Sequence, residues 1–171
     1  MTNTYNFIDL DGVILDSEER MLERKYSLGF RNHKDKNEFD MYFEYTKSHP
    51  EEWDYIIKEA QSINNSVEII KELESKGSKI AILTKIHTLQ EMKVKTEMLR
   101  EKLEFLCPII FVPPGVKKHQ MIIPNRQLLV DDSEKNIDGW IKNGGEGLVF
   151  DPLIESNTHK KVKSLEFLMK R

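Results

Sequence analysis

Short apolar runs alternate along the chain with longer amphipathic stretches. Five runs, rich in aliphatic and β-branched residues, predict buried strands at 5–8, 79–83, 108–112, 127–130 and 147–150. Apolar residues at helical spacing predict helices at 66–77, 89–106, 133–145 and 159–170. Strands and helices that alternate in this way predict an α/β fold of three layers, Rossmann-like, with a parallel sheet covered by helices on both faces.

One region interrupts the alternation. Residues 17–64 contain no convincing strand and predict three polar-rich helices, at 17–30, 35–48 and 50–63. Because these helices follow the loop after the first strand, we predict that they form a small cap over one end of the sheet. Residues 1–16 and 65–171 then form the core domain.

Acidic and hydroxyl side chains stand at the ends of the predicted strands. Asp9 follows the first strand, and Asp11 comes two positions later, beside Gly12. Thr84 follows the second strand, and Asp131-Asp132 follow the fourth. In an open parallel sheet, ligands bind beyond the carboxyl ends of the strands. The sequence therefore predicts that two acid pairs and a hydroxyl meet at one edge.

Carboxylates that gather in this way repel one another unless a cation lies between them. Ligands that are all oxygen suit Mg²⁺, which also binds substrate phosphate. A carboxylate beside such an ion can attack phosphorus and form an aspartyl-phosphate. An acid two residues further on can protonate the leaving alcohol and later deprotonate water.

Taken in chain order, these residues resemble the four motifs of the haloacid dehalogenase (HAD) superfamily. The matching residues are Asp9-Leu10-Asp11-Gly12, Thr84, a lysine at 117 or 118, and Asp131-Asp132. The resemblance implies a phosphatase with the HAD fold. It also implies a small phosphorylated molecule as the substrate.

The resemblance assigns a role to each matching residue. Asp9 would be the nucleophile and a Mg²⁺ ligand, and Asp11 the general acid/base, with its backbone carbonyl on the metal. Asp131 would be a metal ligand, and Asp132 a ligand directly or through water. Phosphate oxygens would be bound by Thr84, the lysine, and backbone N–H groups around Leu10, Asp11 and Lys85.

Two adjacent lysines compete for the phosphate-binding position. The lysine should begin a helix whose third and fourth following residues pack inward. From Lys118 those residues are Met121 and Ile122, whereas from Lys117 they are Gln120 and Met121. We favour Lys118, and Lys117 remains the alternative.

The last motif suggests a substrate class. Its Asp-Asp pair, Asn136 and the Gly-Gly before the last strand resemble the type C 5′(3′)-deoxyribonucleotidases, which release phosphate from nucleoside monophosphates. Aromatic side chains of the predicted cap could stack on a base. Several of them must fill the core of the cap, so at most two or three can face the cleft. The candidates are Tyr26, Phe30, Phe39, Tyr42, Phe43, Tyr45, Trp53 and Tyr55.

Three other functions use related residues. A phosphoacceptor receiver domain has its first acids adjacent and its lysine last, whereas here the lysine precedes the second acid pair. A non-catalytic binding module would lack the nucleophile or the metal ligands. A dehalogenase would need neither Asp11 nor the metal. The order and completeness of the acidic residues favour phosphoryl chemistry.

Charge and composition limit the partners. The net charge is −3 with acids and bases interspersed, so no stable complex with nucleic acid is expected. No apolar run approaches membrane-spanning length, so no membrane association is expected. The single cysteine, Cys107, excludes an internal disulfide, and a cytoplasmic location is expected.

Overall fold

Six parallel strands form one sheet in the computed structural model, which describes residues 5–31 and 36–170. The strands lie in the order β3-β2-β1-β4-β5-β6, and each neighbouring pair is parallel. The prediction of a parallel α/β sheet is confirmed. The strands are β1 (Asn6–Ile8), β2 (Ile80–Lys85), β3 (Ile109–Val112), β4 (Leu128–Asp131), β5 (Glu146–Phe150) and β6 (Lys161–Val162).

Helices connect the strands and flank the sheet. They are α1 (Ser17–Ser27), α2 (Lys36–Ser48), α3 (Glu52–Lys58), α4 (Ser66–Ser75), α5 (Leu89–Glu97), α6 (Lys118–Met121) and α7 (Glu134–Lys142). A π-helical segment, Met98–Lys102, follows α5 directly, and a 3₁₀ helix covers Leu165–Lys170. Within the described residues, no helix combines the length and apolar character needed to cross a bilayer.

The central strands bury side chains on both faces of the sheet. Ile8 and Val130 pack into one apolar cluster, together with Ile70 of α4. Their neighbours Phe7 and Leu129 pack into a second cluster on the opposite face. Successive strand residues point to opposite faces, so continuous apolar runs give a sheet that is covered on both sides. This packing fixes the carboxyl ends of β1 and β4 side by side.

The prediction of a helix at 159–170 is wrong for the first half of this range. Lys161–Val162 instead forms β6 along the free edge of β5. The side chain of Thr158 accepts a hydrogen bond from the backbone N–H of Lys161 at 3.0 Å, and that of Asn157 accepts one from Lys163 at 2.9 Å. Such side-chain acceptors compete with helical hydrogen bonds, and here they favour an extended segment.

The helix predicted at 89–106 ends several residues early. The π-helical segment that follows α5 closes at Lys102, and Glu104 has a positive φ of 57°. The Arg100 guanidinium then donates hydrogen bonds to the backbone carbonyls of Phe105 and Cys107. These bonds hold the chain in a turn towards β3, so the apolar residues beyond this point lie outside the helix.

Three helices, α1 to α3, lie between β1 and α4, and we call residues 17–64 the helical insertion. The chain enters and leaves the insertion through paired segments, because Leu15 forms an antiparallel bridge with Ser62. The backbone N–H of Asp16 also donates to the carbonyl of Gln61 at 3.0 Å. The first residue of the helix predicted at 35–48 lies outside the described residues. The division into cap and core stays a prediction.

Candidate active site

Asp9 lies just beyond the tip of β1, where its carboxylate is buried and only 7% of the residue is exposed. One oxygen, Oδ1, accepts a hydrogen bond from the backbone N–H of Leu10 at 2.8 Å. The other, Oδ2, lies 2.6 Å from Nζ of Lys118. In this structure, therefore, the N–H of Leu10 is engaged by Asp9.

Lys118 joins the ends of two neighbouring strands. It is the first residue of α6, it is 1% exposed, and its Nζ lies 2.7 Å from Oδ2 of Asp131 as well as near Asp9. Lys117, one residue earlier, is exposed and belongs to a neighbouring cleft. The structure thus places Lys118, and not Lys117, between the two carboxylates.

The start of α7 holds Asp131 in place. Its Oδ1 accepts hydrogen bonds from the backbone N–H of Ser133 and the side-chain amide of Asn136, both at 2.9 Å. Asn136 also accepts a hydrogen bond from Nζ of Lys85, at 3.1 Å. Because the first N–H groups of a helix have no partner within the helix, a carboxylate is well stabilised at this position.

Three carboxylates come close enough together to hold a metal ion. Asp9, Asp131 and Asp132 each offer one oxygen, and these oxygens lie within 4.8 Å of one another. Gly12, with φ +71°, borders the cluster, and a Cβ at this position would lie only 2.5 Å from Oδ2 of Asp132. A glycine here leaves space for the Asp132 carboxylate.

The side chain of Asp11 makes a separate set of contacts. Its Oδ1 accepts a hydrogen bond from Ser17 Oγ at 2.6 Å. Its Oδ2 accepts hydrogen bonds from Nζ of Lys95 at 2.6 Å and from Oγ1 of Thr84 at 3.0 Å. The first strand, the second strand, α1 and α5 therefore all contribute to the position of this one carboxylate.

The sequence prediction did not include Lys95, which lies at the centre of a buried polar network. Its Nζ lies 2.8 Å from Glu91 and donates to the backbone carbonyl of Lys85 at 2.7 Å. Glu91 in turn accepts a hydrogen bond from the backbone N–H of His87 at 2.6 Å, and its Oε2 lies 3.1 Å from His87 Nδ1. Only the spacing of Glu91 and Lys95, four residues apart on α5, hinted at a pair, and such pairs are usually solvated.

Burial and neighbouring negative charges disfavour ionisation in the carboxylate cluster. Burial raises the pKa of Asp9 well above its ordinary value; Lys118 partly offsets this, and Asp131 adds to it. Burial and the charge of Glu18 raise the pKa of Asp132 to about 8. The pKa of Glu18 is also raised, chiefly by burial and the charge of Asp11. These carboxylates therefore retain protons in the metal-free protein, and a metal cation would be stabilised at the same place.

Ionisation of Asp11, in contrast, is favoured. Burial alone would raise its pKa, but the charge of Lys95 and the hydrogen bonds from Lys95, Ser17 and Thr84 outweigh burial and lower it. The pKa values of Lys95 and Lys118 are both raised, because adjacent carboxylates outweigh the effect of burial. Asp11 is therefore held as a carboxylate, and both lysines are held as ammonium ions.

A cavity of about 240 Å³ opens above these groups and reaches the helical insertion. Its floor includes Asp9, Asp11 and Asp132. Its walls include Met21 and Ile56 as well as three of the eight aromatic residues of the insertion, namely Phe39, Phe43 and Trp53. The ring of Phe43 stacks on that of His87, with the ring centroids 4.0 Å apart, so the insertion and the sheet side meet at this wall.

Comparison with known proteins identifies the fold but no close relative. No protein-family model and no curated protein matches the sequence. Among solved structures, a protein from Thermotoga maritima assigned as a β-phosphoglucomutase has a TM-score of 0.63 and 14% identity, over 98% of this chain and 99% of that one. A HAD-family hydrolase from Deinococcus radiodurans, solved with bound phosphate and sodium, has a TM-score of 0.55 and 13% identity, over 97% of this chain and 93% of that one.

A dehalogenase shares the same architecture. Its TM-score is 0.60 at 13% identity, over 99% of this chain and 97% of the dehalogenase. The chain therefore has the fold of the HAD-superfamily hydrolases. Since the fold is common to enzymes of different chemistry, the reaction has to be argued from the site.

Proposed function

We propose that the protein is a magnesium-dependent phosphomonoester hydrolase that forms an aspartyl-phosphate at Asp9. One observation carries the proposal. The Asp9 carboxylate faces a cavity, shares an oxygen cluster with Asp131 and Asp132, and lies 2.6 Å from the ammonium group of Lys118. A nucleophile, a cation site and a fixed positive charge thus meet where a phosphoryl group would be bound.

The residues present fit a small divalent cation. The donors are three carboxylate oxygens, which are hard ligands of the kind that Mg²⁺ prefers. The raised pKa values of Asp9 and Asp132 reflect their burial first and the repulsion of neighbouring carboxylates second, and a bound cation would oppose both. The backbone carbonyl of Asp11 is a further proposed ligand. When bound, Mg²⁺ would neutralise carboxylate and phosphate oxygens.

The protein's own groups would then carry out two displacements. In the first, an oxygen of Asp9 bonds to phosphorus in line as the bond from phosphorus to the leaving oxygen breaks, and a protonated Asp11 gives its proton to that oxygen. Lys118, 2.6 Å from Asp9, would stabilise the charge on the equatorial oxygens. Thr84 is buried and its hydroxyl donates to Asp11, so it would have to redirect this hydrogen bond to do the same. In the second, Asp11 takes a proton from a water molecule that attacks the phosphorus, and the bond between Asp9 and phosphorus breaks. Asp11, now protonated, can give this proton to the next leaving alcohol.

The resting state of Asp11 favours some leaving groups over others. Because Lys95 stabilises its carboxylate, a proton on Asp11 is readily lost between turnovers. Substrates whose leaving group is already a good one, such as an aryl phosphate, need this proton least. We therefore infer that aryl phosphates are hydrolysed faster than simple alkyl phosphates.

The walls of the cavity support a flat, partly apolar leaving group, and we propose a nucleoside monophosphate as the substrate. Phe39 and Phe43 can stack on a base, which contributes roughly 1–3 kcal/mol per base in other systems. Trp53 also lines the cavity, and its buried Nε1 has no hydrogen-bond partner among the described residues.

Phosphate release from a panel of monoesters, with Mg²⁺ or with a chelator, tests the proposal. We expect release that requires the metal and that falls by roughly a thousandfold or more in Asp9→Asn, which lacks the nucleophile. The matched control is Asp138→Asn, because Asp138 is exposed on α7 outside the cavity. Near wild-type release by folded Asp9→Asn would remove Asp9 from the mechanism.

The substrate class has its own test. We expect Phe43→Ala to raise KM for nucleoside monophosphates about tenfold, while KM for a small alkyl phosphate changes little. Tyr26→Ala is the control, since Tyr26 is an exposed aromatic of the insertion that does not line the cavity. Equal effects of Phe43→Ala on both substrates would contradict a stacked base.

A further inference from the structure

A second cleft, of about 410 Å³, lies beside the catalytic cavity. It is formed by the end of β2, the loop after β3, and the first turns of α7. Its volume falls within the range of roughly 300–1,000 Å³ that is typical of small-molecule sites. The cleft and the cavity share four lining residues, Lys85, His87, Ser133 and Asn136. A ligand held in the cavity could therefore extend into the cleft.

Basic side chains dominate this cleft. Lys85, Lys117 and Lys135 line it together with His87 and His119, and none of its lining residues is acidic. Within the part of the chain that the structure describes, neither Lys117 nor Lys135 forms an ion pair. Positive charge that converges on a concave surface without a carboxylate partner favours an anionic ligand.

The acids of α7 do not compensate for this charge. Glu134 and Asp138 are not among the residues of the cleft, and the carboxylate of Glu134 lies 3.3 Å from Nζ of Lys161 instead. Two buried acids lie behind the walls, and both are already engaged. Asp131 contacts Lys118 and Asn136, and Glu91 contacts His87 and lies 2.8 Å from Nζ of Lys95. An anion in the cleft would therefore meet three ammonium groups and no opposing charge on the walls.

Two walls of the cleft are held in place by local structure. Pro113 accepts a hydrogen bond from the backbone N–H of Val116 at 3.2 Å, and Gly115 has a φ of +81°, as a turn with Pro-Gly at its centre requires. On the opposite wall, a Cβ on Gly139 would lie 2.8 Å from Nδ1 of His119. The histidine ring therefore packs directly on α7.

We propose that the cleft binds a second phosphate group on the leaving-group side of the substrate, so that bisphosphorylated molecules are preferred. This inference rests on the proposed phosphatase function and extends its substrate. A nucleoside that carries a second phosphate would satisfy both proposals and would be preferred over the monophosphate. The catalytic phosphate would lie at Asp9, and the second one among Lys85, Lys117 and Lys135. The cavity and the cleft share four lining residues and so lie side by side, and in this proposal one molecule reaches both.

A series of α,ω-alkanediol bisphosphates with three to six carbons, each compared with its monophosphate, provides the test. At the chain length that spans both sites, we expect kcat/KM for the bisphosphate to exceed that of its monophosphate by about tenfold or more. Lys135→Gln should reduce this preference about fivefold, and Lys117→Gln/Lys135→Gln should abolish it. The matched control, Lys142→Gln, removes a charge from the same helix outside the cleft and should leave the preference unchanged.

The outcomes separate this inference from the proposed function. Hydrolysis of monophosphates without any preference for bisphosphates would overturn the second site and leave the phosphatase intact. An equal loss in Lys135→Gln and Lys142→Gln would also overturn it, because general electrostatics would then explain the preference. If the cleft instead holds free phosphate, Lys135→Gln will weaken inhibition by inorganic phosphate while bisphosphates show no advantage, which overturns the proposal as well. If no ester is hydrolysed at all, the proposed phosphatase function itself is wrong.

Discussion

The ammonium group of Lys95 lies 2.6 Å from Oδ2 of Asp11, although the two residues are 84 positions apart in the chain. Lys95 is 1% exposed, and it also lies 2.8 Å from the buried carboxylate of Glu91. One cation thus compensates the buried Glu91 and the partly buried Asp11, which lie on different elements. It links α5, which packs on the helical insertion, to the residue that we propose as the general acid/base.

Removal of Lys95 should affect stability as well as turnover. Lys95→Met leaves the buried Glu91 and the partly buried Asp11 without a cation, so we expect a loss of about 3–5 kcal/mol in the free energy of unfolding. Urea unfolding measures this change. In Lys95→Met/Glu91→Leu one of those charges is also gone, so the double variant should be more stable than Lys95→Met alone. A double variant that loses the sum of the two single losses would show that Lys95 and Glu91 act independently.

Asp132 should limit the stability of the metal-free protein. Its carboxylate is repelled by Asp131 and Glu18, so Asp132→Asn should raise the free energy of unfolding by about 1–2 kcal/mol, or the Tm by roughly 2–8 °C. The same variant should lose most of its stabilisation by Mg²⁺. Thermal melts with and without Mg²⁺ measure both effects. A lower Tm in the metal-free variant would contradict the repulsion.

The pH dependence of the metal-free protein follows from the same residue. Its pKa is about 8 when folded and about 3.9 in an unfolded chain. Between these values the folded state binds more protons than the unfolded state, so the free energy of unfolding falls as pH rises. The raised pKa of Asp9 acts in the same direction. We expect a slope of up to about 1.4 kcal/mol per pH unit from one such group.

Unfolding by urea at several values between pH 5.5 and 8.5 checks this slope. Asp132→Asn should flatten it, and saturating Mg²⁺ should reduce it, because the metal displaces the protons. Asp11 has a lowered pKa, so it stabilises the folded state at every pH above its ordinary pKa. This stabilisation is lost only as the pH falls through the lowered pKa, below the window of this experiment. Stability that rises steadily with pH across this window in the metal-free protein would contradict the raised pKa values.

Gly12 and Gly77 form a matched pair for testing the space around Asp132. Both have φ +71°, but a Cβ on Gly12 would lie 2.5 Å from Asp132, whereas nothing lies within 4 Å of the same position on Gly77. Alanine at either position should cost about 1–2 kcal/mol through backbone strain. Only Gly12→Ala should also weaken Mg²⁺ binding and turnover. Equal activities of the two variants would mean that Asp132 moves aside without consequence.

The sequence predicted much of this edge of the sheet, because short apolar strands show where each strand ends. The acids after β1 and β4 meet because these strands are hydrogen-bonded neighbours, as β1 and β2 are. The reason for choosing Lys118 was only half right, since Met121 is 43% exposed and only Ile122 packs against the core. The roles of the site residues, Mg²⁺ and a cytoplasmic location stay predictions.

Other features of the structure could not be predicted, because they leave no recognisable pattern in the sequence. β6 has only two residues, too few to show a strand period, and it forms because β5 has a free edge. Lys95 resembles a surface lysine in sequence, and only tertiary packing reveals that it is buried. The basic cleft collects residues from β2, the loop after β3, and α7, and these come together only when the chain folds.

The bridge between Leu15 and Ser62 has a consequence for how this fold can diversify. The two ends of the helical insertion are paired, so Leu15 and Ser62 lie next to each other in space. For the path of the chain through the sheet, the insertion is therefore equivalent to a single turn. A longer or shorter segment could replace the insertion between these two residues without changing the positions of β1 and α4. Ser17 and Glu18, in the first turn of α1, contact Asp11 and Asp132, so an exchange that begins after them would change the residues above the cavity while the carboxylates beneath keep their arrangement.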